Sequence, residues 1–181
     1  MKKIFIAMPL SESTLKAKTA FSLVHAIKGL YEDIDINFAL DIGCDLIGSR
    51  TRLVRQALHD KATHILFVDY DMFFPPEGGE NPIERLLDYD KDIVGAAYNK
   101  RSLPLQSTAT PLTENTPIDT LFKCQVIGTG FLLIKIGVFA KIPEPWFLYP
   151  GWRLRAMQLV DTPAPFKARN IFGGSGILDR V

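Results

Sequence analysis

The chain has 181 residues and a mass of 20.3 kDa, with 47% hydrophobic and 23% charged residues, a composition typical of one soluble globular domain. Its 21 Lys and Arg nearly balance its 20 Asp and Glu, for a formal net charge of +1. This balance excludes a large basic field of the kind that drives nucleic-acid binding through phosphate neutralisation. We therefore expect a small-molecule partner and no nucleic acid.

The two cysteines, Cys44 and Cys124, have no C-x-x-C spacing. They indicate neither a zinc site nor a disulfide framework, and they favour a cytoplasmic location. The apolar run at residues 4–10 is short and is followed by no small-x-small cleavage site, so it predicts a buried strand and not a signal peptide. No apolar run reaches the roughly 18 residues of a membrane span. We therefore expect no transmembrane segment.

The first half of the chain alternates strands with helices. Residues 3–8 predict a strand that Pro9 ends, and the serines at 11–13 offer an N-cap to a helix that ends near Gly29. A second strand is predicted over 35–40, a second helix from about Ser49, and a strongly apolar strand over 64–68. The residues expected to face the core are Ala17, Ala20, Phe21, Val24 and Ile27 in the first helix and Leu53, Val54, Ala57 and Leu58 in the second.

The second half continues this alternation more weakly. A short helix from Asn81 is predicted to bury Ile83, Leu86 and Leu87, and strands are predicted over 92–98, 123–127 and 131–134. Residues 103–117, rich in Pro, Ser and Thr, indicate a long surface loop. Together these elements predict the α/β class, as one domain with a mostly parallel, twisted sheet and helices on both faces. Residues 148–181 lack periodicity and are expected to form an irregular C-terminal segment.

The residues that follow the strand at 64–68 are the strongest chemical signal. Ligands of open α/β sheets bind beyond the carboxyl ends of the strands, where this strand delivers Asp69 and Asp71. Three further Asp-x-Asp patterns, beginning at residues 33, 88 and 90, flank predicted loops or strand starts, so position is the informative feature.

A divalent cation would reverse the repulsion between these two carboxylates. Carboxylates about 5 Å apart repel by about 3 kcal/mol at an effective dielectric constant of 20. Hard oxygen ligands suit Mg²⁺ or Mn²⁺, which also bind phosphate oxygens. The pattern alone leaves open the alternative that one Asp caps a turn and the other is solvated.

Residues 63–72, followed by Phe74-Pro75-Pro76, resemble the Asp-x-Asp segment of nucleotide-sugar glycosyltransferases of the GT-A fold. The likeness is greatest to the family-2-like transferases of bacteria and phages. Four more blocks follow the order of that family, and the resemblance covers about residues 1–147, which it identifies as a nucleotide-sugar-binding domain. These blocks are residues 50–54 (RTRLV), residues 92–98 with Lys100-Arg101, residues 128–134, and Pro145-Trp146-Phe147.

The resemblance implies a transferase that moves a sugar from a nucleotide-diphosphate sugar to an acceptor hydroxyl on a glycan, lipid or protein, with Mn²⁺ or Mg²⁺ as cofactor. It implies that Asp69 and Asp71 bind the metal. The residues that it implies for the nucleotide sugar are Pro9, Arg50, Arg52, Asp69, Tyr70, Tyr98, Arg101 and Gly130. Thr51 stands where the family has Asn, and no acidic segment follows Phe147, where the family has its catalytic base, so we assign no base.

Two other functions stay open. The missing acidic segment favours a shortened, non-catalytic protein of the same fold that binds a nucleotide or a partner chain. Residues 67–71 also resemble the nucleophile strand of haloacid-dehalogenase-type phosphohydrolases, but Met72 and Phe73 replace their small residues, and no Asp-Asp dipeptide occurs. For Arg50, Arg52 and Arg101 the alternative is a solvated side chain or an ion pair with a surface carboxylate, and for Tyr98 it is a place at the edge of the core.

Overall fold

The computed structural model describes residues 1–74, 80–100, 103–113 and 121–148. The chain divides into two compact units, the first formed by Met1–Val94 with Gly130–Trp146 and the second by Gly95–Thr129 with Phe147–Val181. The irregular segment predicted for 148–181 lies outside the described residues, apart from Leu148.

A five-stranded sheet organises the first unit. It contains, in spatial order, β2 (Ile34–Ile42), β1 (Lys2–Leu10), β3 (His64–Val68), β7 (Phe131–Lys135) and β4 (Ile93–Gly95). The strand β1 is parallel to both β2 and β3, whereas β7 is antiparallel to β3. The helices are α1 (Ala17–Lys28), α2 (Leu46–His59), α3 (Pro82–Asp88) and α4 (Gly137–Lys141). A mixed α/β fold with a mostly parallel sheet is therefore confirmed.

The two central strands form the core. Residues 4–8 of β1 and 65–68 of β3 are at most 1% exposed, so successive side chains on both faces of these strands are buried. Continuous apolar runs of this kind are typical of central parallel strands. Helix α2 packs on β1, β2 and β3 through a buried stripe that includes Leu53, Val54 and Ala57.

Helix α1 presents a different face from the one that its apolar pattern predicts. The buried residues are Thr19, Ser22, Leu23 and Ala26, whereas Phe21 and Val24 are about half exposed, at 53% and 51%. The helix begins after Lys16, which makes no side-chain capping bond, so the predicted cap at residues 11–13 is also wrong. Gly29 ends the helix as predicted. The reason for the rotated face lies in the hydrogen bonds that Thr19 and Ser22 make.

Pro9 does not end the first strand. The amide of Thr63 donates to the carbonyl of Lys3, so the odd-numbered residues of β1 direct their backbone groups towards β3. The paired register of these strands ends at Ala7 and Phe67. Pro9 therefore lies past the end of that ladder, where its missing N–H is not required, and β1 continues beside β2 to Leu10.

Other boundaries differ to varying degrees. The strand His64–Val68 and the helix capped by Asn81, with Ile83, Leu86 and Leu87 buried, are confirmed. Helix α2 begins three residues earlier than expected, and Leu58 is 37% exposed. The strand predicted over 92–98 is reduced to Ile93–Gly95.

The second unit contains a small antiparallel pair. Strands β5 (Thr110–Pro111) and β6 (Cys124–Val126) form a two-stranded sheet. Asn99 and Ser107 also form an isolated bridge. The region predicted as a loop over 103–117 therefore contains a short strand, and its residues 114–117 lie outside the described part of the chain.

Candidate functional site

The strand order places a topological switch point between β1 and β3. The chain passes from β1 to β2 on one side, then crosses to β3 on the other side of β1. In open α/β sheets the crevice outside the carboxyl ends of two such strands is the usual ligand site. Pro9 lies near the carboxyl end of β1, and Asp69 directly follows β3. The structure thus brings these two predicted site residues to the same edge of the sheet.

The position of Asp69 is held from two directions. Its amide donates to the carbonyl of Gly130 at 2.9 Å, which extends the pairing of Val68 with Phe131 by one step. Its Oδ1 lies 3.4 Å from Nη2 of Arg50. Gly130 therefore contributes a backbone contact beneath the site, and Arg50 contributes a positive charge.

Arg50 is a buried cation. It lies in α2 and is 1% exposed, whereas the side chain of its partner Asp69 is 32% exposed. The alternative that Arg50 is solvated is therefore wrong, whereas the pairing with a partly exposed carboxylate, the other part of that alternative, is observed. Burial of an arginine is costly unless it is paired, and the ion pair with Asp69 offsets part of that cost.

The loop that carries Tyr70 and Asp71 is attached to α1. The carbonyl of Tyr70 accepts hydrogen bonds from the amide of Lys16 at 3.2 Å and from the hydroxyl of Thr19 at 2.9 Å. The amide of Phe74 donates to the hydroxyl of Ser22 at 3.2 Å. Buried backbone groups of a loop need partners, and Thr19 and Ser22, both at most 1% exposed, supply them.

The apolar pattern of the first helix did not predict Thr19 and Ser22 as residues of this site. Their signal was two small hydroxyl residues three positions apart, which lie on one face of a helix. The hydroxyl groups on that face form hydrogen bonds with the backbone of the loop. Because this face of α1 is buried against the loop, Phe21 and Val24 lie towards solvent.

Around Asp71 the loop is compact. The amide of Met72 donates to the carbonyl of Asp69 at 3.1 Å, which closes a turn around Tyr70 and Asp71. The ring of Phe74 packs against Phe131, with centroids 4.9 Å apart. Asp69, Tyr70 and Asp71 are all partly exposed, so the carboxylates lie at the surface of a loop whose backbone is held.

Arg52 is engaged on the neighbouring strand. Its Nε and Nη2 lie 3.0 and 2.7 Å from the two carboxylate oxygens of Asp41 in β2. This bidentate hydrogen bonding by Arg52 holds the pKa of Asp41 below its usual range. The hydroxyl of Thr51 donates to the carbonyl of Ile47 within α2. Arg52 thus forms the surface ion pair that was its alternative interpretation.

Tyr98 belongs to the second unit, where it packs over a glycine. A Cβ atom at Gly128 would lie 2.6 Å from the Tyr98 hydroxyl oxygen and 2.9 Å from Cβ of Thr108. The hydroxyl of Thr108 donates to the carbonyl of Tyr98 at 2.9 Å. Gly128 is therefore needed to make room for Tyr98. Arg101, the remaining predicted ligand of the nucleotide sugar, lies outside the described residues.

The chemistry of the carboxylate pair fits a hard divalent cation. Mg²⁺ is usually held by one or two carboxylates together with substrate phosphates and waters, and Asp69 and Asp71 offer such a partial set of oxygen ligands. Within the ranges that the structure describes, no group of three or more His, Cys, Asp or Glu side chains is placed to enclose a metal ion.

A cavity of about 470 Å³ lies at the opposite edge of the sheet. His64, at the amino end of β3, and Lys135, at the end of β7, are among its lining residues. Lys135 forms ion pairs with Asp90 at 2.7 Å and with Asp92 at 3.8 Å. Burial, aided by Lys135, lowers the pKa of His64. Lys135 and Lys141 of its lining both lie within 4 Å of the Asp92 carboxylate, at 3.8 and 3.9 Å. We place the candidate site at the Asp69 edge, because that edge carries the carboxyl ends of the parallel strands.

Comparisons with known proteins support the fold. No family model and no curated protein matches the chain. Among solved structures, one described as "Crystal Structure of A197 from STIV" is similar, with a TM-score of 0.58 and 20% sequence identity over 82% of this chain and 72% of that chain. At this identity the likeness shows a shared fold alone. In the described part of the chain, every helix is too short or too polar to traverse a bilayer.

Proposed function

We propose that this protein is a metal-dependent glycosyltransferase of the GT-A type, which uses a nucleotide-diphosphate sugar as donor and Mn²⁺ or Mg²⁺ as cofactor. The proposal includes the finer description of the fold, a twisted Rossmann-like sheet with helices on both faces. It also includes a cytoplasmic location, for which the support is two free cysteines. The acceptor, a glycan, lipid or protein, is left open.

One observation carries the proposal: the acidic loop follows β3 directly beside the switch point between β1 and β3. This is the edge at which α/β sheets bind ligands. The loop is also held by α1 and by Gly130, so its carboxylates are presented from a fixed backbone. A preorganised site of this kind loses less conformational entropy when it binds a ligand.

The local charge supports a cation and a diphosphate together. Taken by themselves, Asp69 and Asp71 contribute two negative charges and Arg50 contributes one positive charge, so these three side chains sum to −1. A divalent cation would change this sum to +1, which attracts the phosphate oxygens of a donor. The charge balance therefore suits a metal-diphosphate complex better than either component alone.

In the proposed reaction, the residues of this chain hold and orient the reactants. Asp71, with Asp69, would hold the cation, while Gly130 and α1 keep the acidic loop in place. A bound cation supplies Lewis-acid stabilisation of the charge that develops on the departing nucleoside diphosphate. The acceptor hydroxyl attacks the anomeric carbon and loses its proton to a general base, to which we assign no residue.

The test is ligand-dependent thermal stability. We expect Mn²⁺ with a nucleoside diphosphate or nucleotide sugar, drawn from a panel of bases and sugars, to raise the Tm, since a ligand at about 100 times its Kd stabilises by about 2.7 kcal/mol. The substitution Asp71→Asn should abolish this rise. Asp35→Asn is the matched control, because Asp33 and Asp35 have the same spacing at the amino-terminal edge of the sheet. Unchanged melting across the panel would refute the proposal.

Product analysis separates the enzyme from a binding protein. Release of the sugar, to an acceptor or to water, by the wild-type protein and not by Asp71→Asn would support the transferase. Donor binding that depends on Asp71, with no release of sugar under any condition, would favour the shortened, non-catalytic protein of the same fold.

A further inference from the structure

The ion pair between Arg50 and Asp69 has an unusual distribution of exposure. The arginine is the buried member, at 1%, and its carboxylate partner is the one that reaches the surface of the candidate site. The guanidinium therefore acts on the site from beneath, through Asp69.

We propose that Arg50 is a positioning residue that acts as an internal counter-cation of the acidic loop. It holds Asp69 by its charge and reduces the negative charge that Asp69 and Asp71 offer to a metal. The inference rests on the proposed function, since it concerns the metal-diphosphate site of that proposal. Its consequence is that the cation binds weakly alone and firmly with a diphosphate.

The chemistry of arginine suits this role. A guanidinium is always protonated in proteins, so its charge is present at every physiological pH. Its place in α2, which packs against the central strands, fixes that charge relative to β3. A surface lysine would instead be screened by solvent and by salt.

The expected effects of charge removal have opposite signs for the two ligands. A unit charge about 7 Å from a divalent ion changes the binding constant of that ion by about tenfold even at the dielectric constant of water. Loss of the positive charge of Arg50 should therefore make Mn²⁺ alone bind about tenfold more tightly. A diphosphate offered with saturating Mn²⁺ should bind about tenfold more weakly, because the metal-loaded site has one positive charge fewer.

A merely structural role predicts a different result. If Arg50 only supported the fold of the loop, its removal would distort the carboxylates and weaken both ligands together. The direction of the change in Mn²⁺ affinity distinguishes the two roles, and this measurement needs no enzymatic turnover.

The experiment measures Mn²⁺ binding by electron paramagnetic resonance of the free ion, and nucleoside diphosphate binding by calorimetry at saturating Mn²⁺. The variants are Arg50→Met, Arg50→Gln and Arg50→Lys, and circular dichroism verifies that each is folded. Arg50→Gln replaces Arg50→Met if the latter does not fold. Arg55→Met is the matched control, since Arg55 lies in the same helix and pairs with Glu144 at the surface.

Tighter Mn²⁺ with weaker diphosphate binding in Arg50→Met or Arg50→Gln, and near wild-type values in Arg50→Lys and Arg55→Met, would support the inference. Weaker or unchanged Mn²⁺ binding in the charge-removing variants would overturn it, and so would failure of both variants to fold, since Arg50 would then be a structural residue. Failure of the proposed function is distinguishable from failure of this inference. If the proposed function is wrong, the wild-type protein will show no binding of Mn²⁺ with diphosphate that depends on Asp71.

Discussion

The hydroxyl of Thr19 offers a direct test of how the acidic loop is held. The substitution Thr19→Val keeps the shape of a side chain that is 0% exposed and removes its hydrogen bond to the carbonyl of Tyr70. That carbonyl retains its bond from the amide of Lys16, so it is not left without a partner. The perturbation is therefore confined to one hydrogen bond between α1 and the loop.

The magnitude follows from that single bond. A buried neutral hydrogen bond contributes about 1 kcal/mol net. The larger penalty of about 1–3 kcal/mol for an unsatisfied buried group does not apply, because Lys16 still donates to Tyr70. For a chain of this size, about 1 kcal/mol corresponds to a fall in Tm of about 2–4 °C.

Denaturant unfolding and hydrogen exchange together test this prediction. We expect a loss of about 1 kcal/mol in the free energy of unfolding and faster exchange of the amides that follow Asp69, because local opening exposes a loop that has lost an anchor. Thr51→Val is the matched control, since its hydroxyl bonds within α2 to Ile47. Wild-type exchange in the loop of Thr19→Val, or equal acceleration in Thr51→Val, would refute the reasoning.

Three further predictions concern packing and pH. Leu23→Ala should cost about 2–5 kcal/mol of stability, whereas Phe21→Ser should cost less than about 1 kcal/mol, because Leu23 is 4% and Phe21 53% exposed; a reversed order in denaturant unfolding would contradict the observed face of α1. Gly128→Ala should destabilise the protein by about 1–3 kcal/mol, because the added methyl group clashes with Tyr98. Gly137→Ala should not lower the Tm, since its methyl group meets nothing within 4 Å, and equal Tm values for the two variants would be inconsistent with this packing. Burial lowers the pKa of His64 from 6.5, so the unfolded chain binds the proton more readily, and the contribution of neutral His64 to stability is complete above pH 6.5 and is lost as the pH falls towards the folded-state pKa. The Tm measured from pH 8 to 5 should therefore fall less in His64→Gln than in the wild-type protein or in the exposed His25→Gln variant, and parallel curves would argue against this.

The secondary structure was predictable from the sequence in two segments with strong local signals. The strand His64–Val68 and the helix capped by Asn81 lie where the sequence indicates. The predicted end of β1 was wrong, because its pairing with a strand that is distant in sequence decides where Pro9 is tolerated. Pro9 is accepted within β1 only because the ladder to β3 has already ended at Ala7, and no local pattern contains that information.

The sequence by itself determined that an acidic pair follows a buried strand of an α/β sheet, because hydrophobic runs and the order of elements are local properties of the chain. Only the tertiary structure decided which groups hold that pair. Thr19 and Ser22 of α1 and the buried Arg50 of α2 reach the loop after β3 across 19 to 52 positions of sequence. Buried backbone groups require hydrogen-bond partners and buried charges require opposite charges. These requirements arise only once the strands and helices have packed, so the local sequence does not reveal them.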